Sequence, residues 1–275
     1  DGRSGRTKTL EMIATVKIDT YLRNEITHLK SAYHTTPFKV AEIREDKNSA
    51  VLELMLMSSS PGILDGDSYD FEVTVQENCQ LEFSTQSYQR IFTMKGSASQ
   101  KMKVAIQKNG FLRYIPHPMV PHKESNYKAE NTIYLEENAT LIWGEILTCG
   151  RKLNGEQFEF TEFQNKTSVF KNGKLVVFEN LYMNPSERNP LSIGQLEGHT
   201  HQASLIYFNE SIDLKRIKTQ CDEFLSEKKD ILFGTSETNG NGFIIKILSQ
   251  NSEKLFLLLK ELSQKCFLEV PTSYL

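Results

Sequence analysis

Short segments in which apolar and polar residues alternate dominate this sequence as far as about residue 203. In one of them, Phe71, Val73 and Val75 alternate with Glu72 and Thr74. A period of two places the apolar side chains on one face of a strand. Similar segments, separated by turn residues, recur at 81–83, 104–106, 112–114, 133–135, 141–147 and 169–177. Many short strands without intervening helices restrict the fold to a sandwich, a barrel or a stack of strands.

The turns between these segments predict how the strands are connected. Asn109-Gly110 and Asn172-Gly173 are strong hairpin signals, because asparagine and glycine both tolerate the positive φ of a tight turn. Glu77-Asn78 and Glu137-Asn138 occupy similar positions. We therefore predict a mainly β protein of stacked antiparallel hairpins, arranged as a β-sandwich or a solenoid-like body. No repeat of fixed length is visible, so the sequence does not establish a regular solenoid.

The segment 204–275 has a different pattern. It predicts, in order, a strand at 204–208, a helix from a cap at Ser211 or Asp213 to about Lys228, a strand at 231–234, a turn at 239–242, a strand at 243–248, and a helix capped by Ser252. The order is strand, helix, strand, strand, helix, which gives two C-terminal helices. Because no linker rich in proline, glycine or serine precedes it, we expect this α/β segment to pack on the β-rich body, residues 1–203, as one structural unit.

Composition excludes several classes of function. The formal net charge of -3 gives no basis for binding nucleic acid or an anionic membrane. No apolar run is long enough to span a bilayer, and no apolar signal core follows the polar residues 1–6, which we expect to be a flexible leader. The four cysteines form no C-x-x-C pair, so we interpret them as reduced thiols. We therefore expect a cytoplasmic protein.

One strand segment contains a carboxylate among apolar residues. Leu141, Trp143, Glu145 and Leu147 alternate and share one face, and a carboxylate on an apolar face is costly unless it has a partner or water. Glu145, together with Arg151 and Glu156 downstream, either forms stabilising ion pairs or lines a polar passage or a docking surface. The sequence leaves both interpretations open.

An enzyme of a different class remains an alternative. No phosphate-binding loop, dinucleotide-binding motif, nucleophile elbow or His-Glu-x-x-His motif is present, which argues against an intrinsic nucleotide hydrolase. A β-rich hydrolase that uses Glu145 and Glu156 as an acid/base pair is the alternative that these motifs do not exclude.

Two groups of residues are candidates for metal binding. His199 and His201 form an H-x-H pair; on a strand both rings would point to one side, roughly 7 Å apart, and such a pair suits nickel, copper or zinc. They can equally be two polar residues at the start of a strand. Asp65 and Asp67 end a turn-rich loop, where they either coordinate a cation or accept hydrogen bonds from their own backbone.

Four segments match, in order, the motifs of one known family. SPGILDGD at 60–67 is similar to a P-G-G-x-x-x-G-D loop, and STQSYQRIF at 84–92 is similar to T-x-Q-[SA]-x-x-[KR]-[VI]-[YF]. LRYIPHPMVP at 112–121 is similar to L-x-x-x-P-x-P-x-I-P. WGEIL at 143–147, with GR at 150–151 and GEQF at 155–158, is similar to W-x-E-I-x-x-x-G-R-x-x-x-G-E-x-F. Together these motifs resemble the UreD family of urease accessory proteins, called UreH in some bacteria. The chain departs from the pattern at Ile63 and Asp65, where glycine is usual, and at His122, where phenylalanine is frequent.

The resemblance implies a non-enzymatic scaffold, or metallochaperone, for inserting nickel into urease. Members are mainly β with two helices and bind a UreF-type accessory protein; that complex recruits a UreG-type GTPase, which carries the nickel. The assembly docks on apo-urease. The resemblance also allows for a dimer within the complex. Nickel is thought to pass transiently through an internal channel of the UreD-type subunit. On this basis the candidate channel or docking residues are Asp67, Glu145 and Glu156, with Arg151 fixing a neighbouring carboxylate, and the candidate metal ligands are His199 and His201.

Overall fold

The computed structural model describes residues 13–268, and this part of the chain forms seventeen strands and two α-helices. The strands of the first half are β1 (Ile13–Arg23), β2 (Ile26–His34), β3 (Phe38–Glu42), β4 (Leu52–Ser58), β5 (Ser68–Val75), β6 (Gln80–Thr85), β7 (Gln89–Ile91), β8 (Ala98–Ile106), β9 (Phe111–Tyr114) and β10 (Met119–Pro121). The later elements are β11 (Asn126–Leu135), β12 (Thr140–Thr148), β13 (Glu162–Lys171), β14 (Lys174–Met183), β15 (His201–Phe208), α1 (Leu214–Ser226), β16 (Ile231–Thr238), β17 (Gly242–Ser249) and α2 (Ser252–Leu268). The mainly β fold with two C-terminal helices is thus confirmed.

Two sheets and the pair of helices form three layers. The first sheet has the strand order β14-β13-β11-β8-β5-β1-β2. The second sheet has the order β16-β17-β15-β12-β9-β6-β4-β3, and β10 pairs with β12 and with β7 beside this path. One apolar core, which includes Val104, Ile133 and Trp143, lies between the sheets. A second core, which includes Ile146, Ile245 and Leu259, lies between the second sheet and the helices.

The pairing of the central strands corrects the predicted antiparallel hairpins. In the first sheet β5, β8, β11 and β13 are neighbours and run parallel. In the second sheet β4, β6, β9 and β12 are also parallel neighbours. The turns at Glu77-Asn78, Asn109-Gly110 and Glu137-Asn138 therefore do not join paired strands; each carries the chain from the first sheet to the second. The result is a stack of similar chain windings, which is the solenoid-like form of the prediction.

A ladder of asparagines explains why hairpin-type residues occur at these crossings. Asn78, Asn109 and Asn138 all have positive φ, between 55° and 57°, which asparagine tolerates better than most residues. The Asn109 amide donates to the Asn78 side chain at 2.9 Å, and the Asn138 amide donates to Asn109 at 3.3 Å. The same residues that predict a hairpin thus form a sharp turn between the two sheets. Hydrogen bonds to the equivalent turn of the next winding fix the position of each turn.

The C-terminal part follows its predicted order. The Asn172-Gly173 hairpin joins the antiparallel pair β13 and β14, and β16 pairs antiparallel with β17. Asp213 caps α1, since its carboxylate accepts from two backbone amides of the first turn. Asn251, rather than the predicted Ser252, caps α2: its side-chain oxygen accepts from the Lys254 amide at 3.1 Å.

The division into residues 1–203 and 204–275 stays a prediction. Strand β15 spans this boundary, and it pairs with β12 of the body on one side and with β17 on the other. The predicted leader at residues 1–6 lies outside the described residues. Within residues 13–268, neither helix has the length and apolar character that a membrane span requires.

Candidate functional site

Glu145 of β12 lies between the two sheets, where it accepts hydrogen bonds from three side chains. Its Oε1 accepts from the Thr167 hydroxyl at 2.6 Å, from the Trp143 indole Nε1 at 2.8 Å and from the Asn131 amide at 3.3 Å. Asn131 also donates to the Asn165 side chain at 3.0 Å. The strand alternation that placed Glu145 on the face of Trp143 is confirmed, and the carboxylate is held by polar partners from the facing sheet.

Strand register extends this cluster into two facing polar rows. In the second sheet, Glu145 lies opposite Ser204, and Ser204 lies opposite Lys246 of β17. In the first sheet, Thr167 lies between Asn131 and Glu179 of β14. We call these six residues the inter-sheet polar rows. They run from the centre of the sandwich toward the solvent.

An ion pair closes the outer end of the rows. The Lys246 ammonium donates to the Glu179 carboxylate, and 46% of the Lys246 side chain is exposed. Glu145, Ser204, Lys246 and Glu179 line the same narrow cleft, which has room for about one water molecule (about 10 Å³). Polar side chains therefore line a narrow cleft between this ion pair and Glu145, and we call this cleft the candidate passage.

Buried tyrosines continue the polar interior on the other side of Glu145. The Tyr114 ring packs on Trp143 with their centroids 4.5 Å apart. Burial raises the pKa of Tyr114, and the nearby Glu145 carboxylate raises it further. Both effects keep the Tyr114 hydroxyl protonated, so it remains able to donate a hydrogen bond.

Two further buried tyrosines lie in the same interior. Burial raises the pKa of Tyr127, whose hydroxyl has no hydrogen-bond partner in the described part of the chain. Tyr69 and Tyr114 line a common pocket, and Tyr69 donates to Asp67 Oδ2 at 2.8 Å. Asp67 is therefore bonded to one buried tyrosine, and Glu145 lies near another.

Asp67 also organises its own loop. Its Oδ2 accepts from the Leu64 amide at 2.8 Å, as a turn-forming aspartate does. The neighbouring Asp65 accepts from the Lys95 and Gly96 amides, each at 3.0 Å. Both carboxylates thus act in loop structure, and Asp67 additionally accepts from the Tyr69 hydroxyl.

Arg151 and Glu156 form a compact ion pair in the loop after β12. Glu156 Oε2 accepts from Arg151 Nε at 3.0 Å and from Nη2 at 2.5 Å, while Oε1 accepts from the Lys123 amide at 2.7 Å. Burial alone would raise the pKa of Glu156, but the bonds from Arg151 and Lys123 outweigh it and lower that pKa. Arg151 thus fixes a neighbouring carboxylate, as predicted. Glu145 and Glu156 are held by different partners in different places.

The two histidines of the H-x-H pair do not share a strand. His201 is the first residue of β15, whereas His199 precedes it and its Nδ1 lies 3.0 Å from the Leu196 carbonyl oxygen. His201 Nδ1 lies 2.6 Å from the Thr200 hydroxyl, and burial, with Lys152 nearby, lowers the pKa of His201 to about 4. The strand geometry assumed for His199 is therefore wrong. Residues 13–268 contain no group of three or more His, Cys, Asp or Glu side chains arranged to hold a metal ion.

Sequence reasoning found Glu145 but missed most of its surroundings. Lys246 had a comparable signal, since it interrupts the apolar run of β17. Glu179, Asn131 and Thr167 are ordinary polar positions of alternating strands, and only the pairing of the strands brings them to Glu145.

Comparison with known proteins gives a consistent result. A family model described as UreD urease accessory protein matches residues 13–270. The chain is 41% identical over 258 residues to the urease accessory protein UreD of Flavobacterium johnsoniae, covering 94% of this chain and 93% of that protein. It is 34% identical over 245 residues to UreD of Acetivibrio thermocellus, covering 87% and 93%. It is 32% identical over 236 residues to the urease accessory protein UreH of Helicobacter hepaticus, covering 86% and 90%. The chain therefore belongs to the family of UreD urease accessory proteins.

Proposed function

We propose that this protein is a non-enzymatic scaffold that helps to deliver nickel to apo-urease, in complex with a UreF-type accessory protein and a UreG-type GTPase. Membership of the accessory-protein family supports a role in urease maturation. The passage of nickel and the identity of the partners are the parts that we add. A dimer within the complex is compatible with this role.

The inter-sheet polar rows carry the proposal. A divalent nickel ion binds carboxylate, imidazole and thiolate groups. A protein that passes the ion onward has to bind it weakly and at several places, as conduction requires. Glu145 offers one carboxylate surrounded by hydroxyl and amide groups, which suits transient contact better than a closed cage of four ligands. The ion pair of Lys246 and Glu179 places charged groups at the solvent end.

The positions of Glu145 and Glu156, the acid/base pair of the alternative β-rich hydrolase, agree with a non-enzymatic role. A catalytic acid/base pair has to flank one substrate. Glu145 faces the sheet interior, whereas both oxygens of Glu156 are engaged by Arg151 and the Lys123 amide in a loop. No observation favours the hydrolase.

We place the protein in the cytoplasm. Its four cysteines are free thiols, which suits a reducing compartment. This part of the proposal is independent of the route of the ion.

Urease activation in a strain lacking this protein tests the proposal. Glu145→Gln keeps the shape of the side chain and an oxygen acceptor but removes the charge, so we expect at least a fivefold loss of nickel in the purified urease. Glu130→Gln, at an exposed position on β11, is the matched control and should activate urease normally. Full activation with Glu145→Gln would refute the role of Glu145, and full activation without the protein would refute the function itself.

A further inference from the structure

A wide groove lies apart from the inter-sheet polar rows, between the loop after β12 and the beginning of α2. Its volume is about 650 Å³, and its lining includes Arg90, His122, Arg151, Lys152, Leu153 and Ser252. We propose that this groove binds an acidic, partly apolar segment of a protein partner. The inference rests on the proposed function only in that the partner is sought among the proteins of urease maturation.

The groove carries positive charge in a chain whose formal net charge is -3. Arg90, Arg151 and Lys152 line it, and among the described residues no aspartate or glutamate does. Arg151 is paired with Glu156, but Lys152 donates only to neutral groups: the Thr200 hydroxyl at 3.0 Å and the Gln250 carbonyl and side-chain oxygens at 2.9 and 3.0 Å. The Arg90 side chain is exposed and makes no ion pair within residues 13–268. Arg90 is thus free to bind a carboxylate, and Lys152 adds a positive charge that no described carboxylate neutralises.

Two further groups bear on anion binding at the same place. The long helix α2 begins at Ser252, so the positive end of its dipole, partly offset by Glu253 in the first turn, faces the groove. His122 is only 5% exposed, and its Nε2 has no hydrogen-bond partner in the described part of the chain. The Nε2 atom is closed off from the groove in this conformation, so a ligand or water reaches this unsatisfied nitrogen only when the wall shifts.

An apolar side chain at the rim indicates that the ligand is more than an ion. Leu153 stands at the crest of the 3-10 turn Lys152–Asn154, and its side chain is completely exposed, at 102% of the reference area. Phe92 and Val120 line the groove as well. Small-molecule pockets enclose most of the ligand surface, whereas this groove is open to solvent. A peptide segment with one carboxylate and one apolar side chain matches these features.

A protein ligand fits better than nucleic acid. Nucleic-acid sites typically neutralise about 6–10 phosphates, and this groove has three cationic side chains, one of them already paired. We therefore assign the groove to an acidic protein segment, and nucleic acid becomes an outcome that would overturn the assignment.

Site-specific crosslinking tests the inference on the full chain, co-expressed with the urease subunits and accessory proteins of the same organism. The photoreactive residue p-benzoylphenylalanine is placed at Leu153, and at Phe178 of β14 as the exposed control. Mass spectrometry then identifies the crosslinked segment. We expect one segment with net negative charge at Leu153 and not at Phe178. A neutral or basic segment, a nucleic acid, or the same products at both positions would overturn the inference.

Charge reversal adds a second, independent readout. Arg90→Glu loses no side-chain hydrogen bond of the structure and should lower the crosslink yield at Leu153 at least tenfold. Lys101→Glu reverses a charge at an exposed position of β8 and should leave the yield unchanged. A synthetic peptide of the crosslinked segment should bind at least tenfold more weakly when its acidic residues are replaced by their amides. Equal crosslink yields or equal peptide affinities would refute the assignment of the groove. Urease activation could still depend on the protein in that case, so this result is distinguishable from failure of the proposed function.

Discussion

The Glu145 carboxylate on β12 accepts a 2.6 Å hydrogen bond from the Thr167 hydroxyl on β13, and this bond joins the two sheets across their shared interior. Trp143 and Asn131 donate to the same carboxylate oxygen. A hydrogen bond to a charged group contributes about 1.5–3 kcal/mol, more than one between neutral groups. Glu145 is therefore a structural tie between the sheets as well as the candidate contact for a passing cation.

The shared hydrogen-bond acceptor predicts that Glu145→Ala and Glu145→Gln differ in their free energies of unfolding. Glu145→Ala leaves the Trp143, Thr167 and Asn131 donors without their acceptor, and a buried unsatisfied group costs about 1–3 kcal/mol. We expect the free energy of unfolding to fall by about 3 kcal/mol in Glu145→Ala and by less than about 1 kcal/mol in Glu145→Gln, which keeps an oxygen acceptor. Urea denaturation followed by circular dichroism measures both. Equal losses in the two variants would contradict the role of Glu145 as a shared acceptor between the sheets.

The ion pair at the outer end of the inter-sheet polar rows predicts opposite effects from its two members. The Lys246 ammonium repels a divalent cation, and Glu179 partly neutralises it. An exposed charge of this kind changes an energy by about 0.5–1 kcal/mol. We therefore expect Lys246→Met to speed urease activation by about two- to fivefold and Glu179→Gln to slow it by a similar factor, as measured by the initial rate of activity gain.

A salt bridge elsewhere supplies the control for these rates. Lys128 and Glu162 lie 2.8 Å apart on neighbouring strands of the first sheet, and the Lys128 side chain is 53% exposed. Lys128→Met removes one positive charge without touching the passage, so it should leave the rate unchanged. A change of the same sign and size as in Lys246→Met would attribute the effect to net charge rather than to the passage.

The turns of this chain show how far local sequence determines the fold. Asn109-Gly110 predicts a sharp turn, and Asn109 has the positive φ that such a turn requires. Whether the turn joins paired strands or crosses between sheets depends on where the next winding lies, as the bond from Asn138 to Asn109 illustrates. Local residues specify the turn, whereas the partner strand is set by contacts about thirty residues away. Strand positions could therefore be predicted, but parallel pairing could not.

The same distinction applies to the candidate site. Glu145 could be found because it breaks an apolar alternation within nine residues of one strand. Its neighbours Thr167 and Lys246 come from strands that lie far apart in the sequence, and no local pattern links them. The H-x-H pair failed for a related reason, since the strand begins at His201, two residues too late to include His199. Spacing predicts geometry only when the element bounds are known.

The loop ion pair predicts that removing Arg151 costs more stability than removing Glu156. Glu156 is 7% exposed and accepts from the Lys123 amide as well as from Arg151. Arg151→Ala leaves this buried carboxylate without its cation, and an uncompensated buried charge is the main cost of breaking such a pair. Glu156→Ala leaves a guanidinium that is 44% exposed and hydrated, together with one amide that lacks an acceptor, so we expect a loss of about 1 kcal/mol there and a larger loss in Arg151→Ala. Thermal unfolding of both variants checks the order. A larger loss in Glu156→Ala would contradict it.

His201 predicts a loss of stability on mild acidification. Burial, with Lys152 nearby, lowers its folded-state pKa from 6.5 to about 4. At pH 7 the imidazole is neutral in both states, but between pH 6.5 and about 4 the unfolded chain binds a proton that the folded chain does not, so the free energy of unfolding falls as the pH falls. At 1.36 kcal/mol per pH unit, the loss between pH 6.5 and 5 is about 2 kcal/mol. Urea denaturation at pH 7.5 and 5.0 measures it.

A substitution isolates this contribution from other titrating groups. His201→Gln removes the proton difference, so its stability should fall about 2 kcal/mol less than that of the wild type between the two pH values. His34→Gln, at an exposed position of β2, is the control and should keep the wild-type dependence. Glu156 does not confuse the comparison, because its lowered pKa maintains its contribution above pH 4.5 and loses it only at lower pH. If His201→Gln and the wild type lose the same stability, the buried histidine is not the source of the acid sensitivity, and His122, whose pKa burial and Arg151 also lower, becomes the next group to substitute.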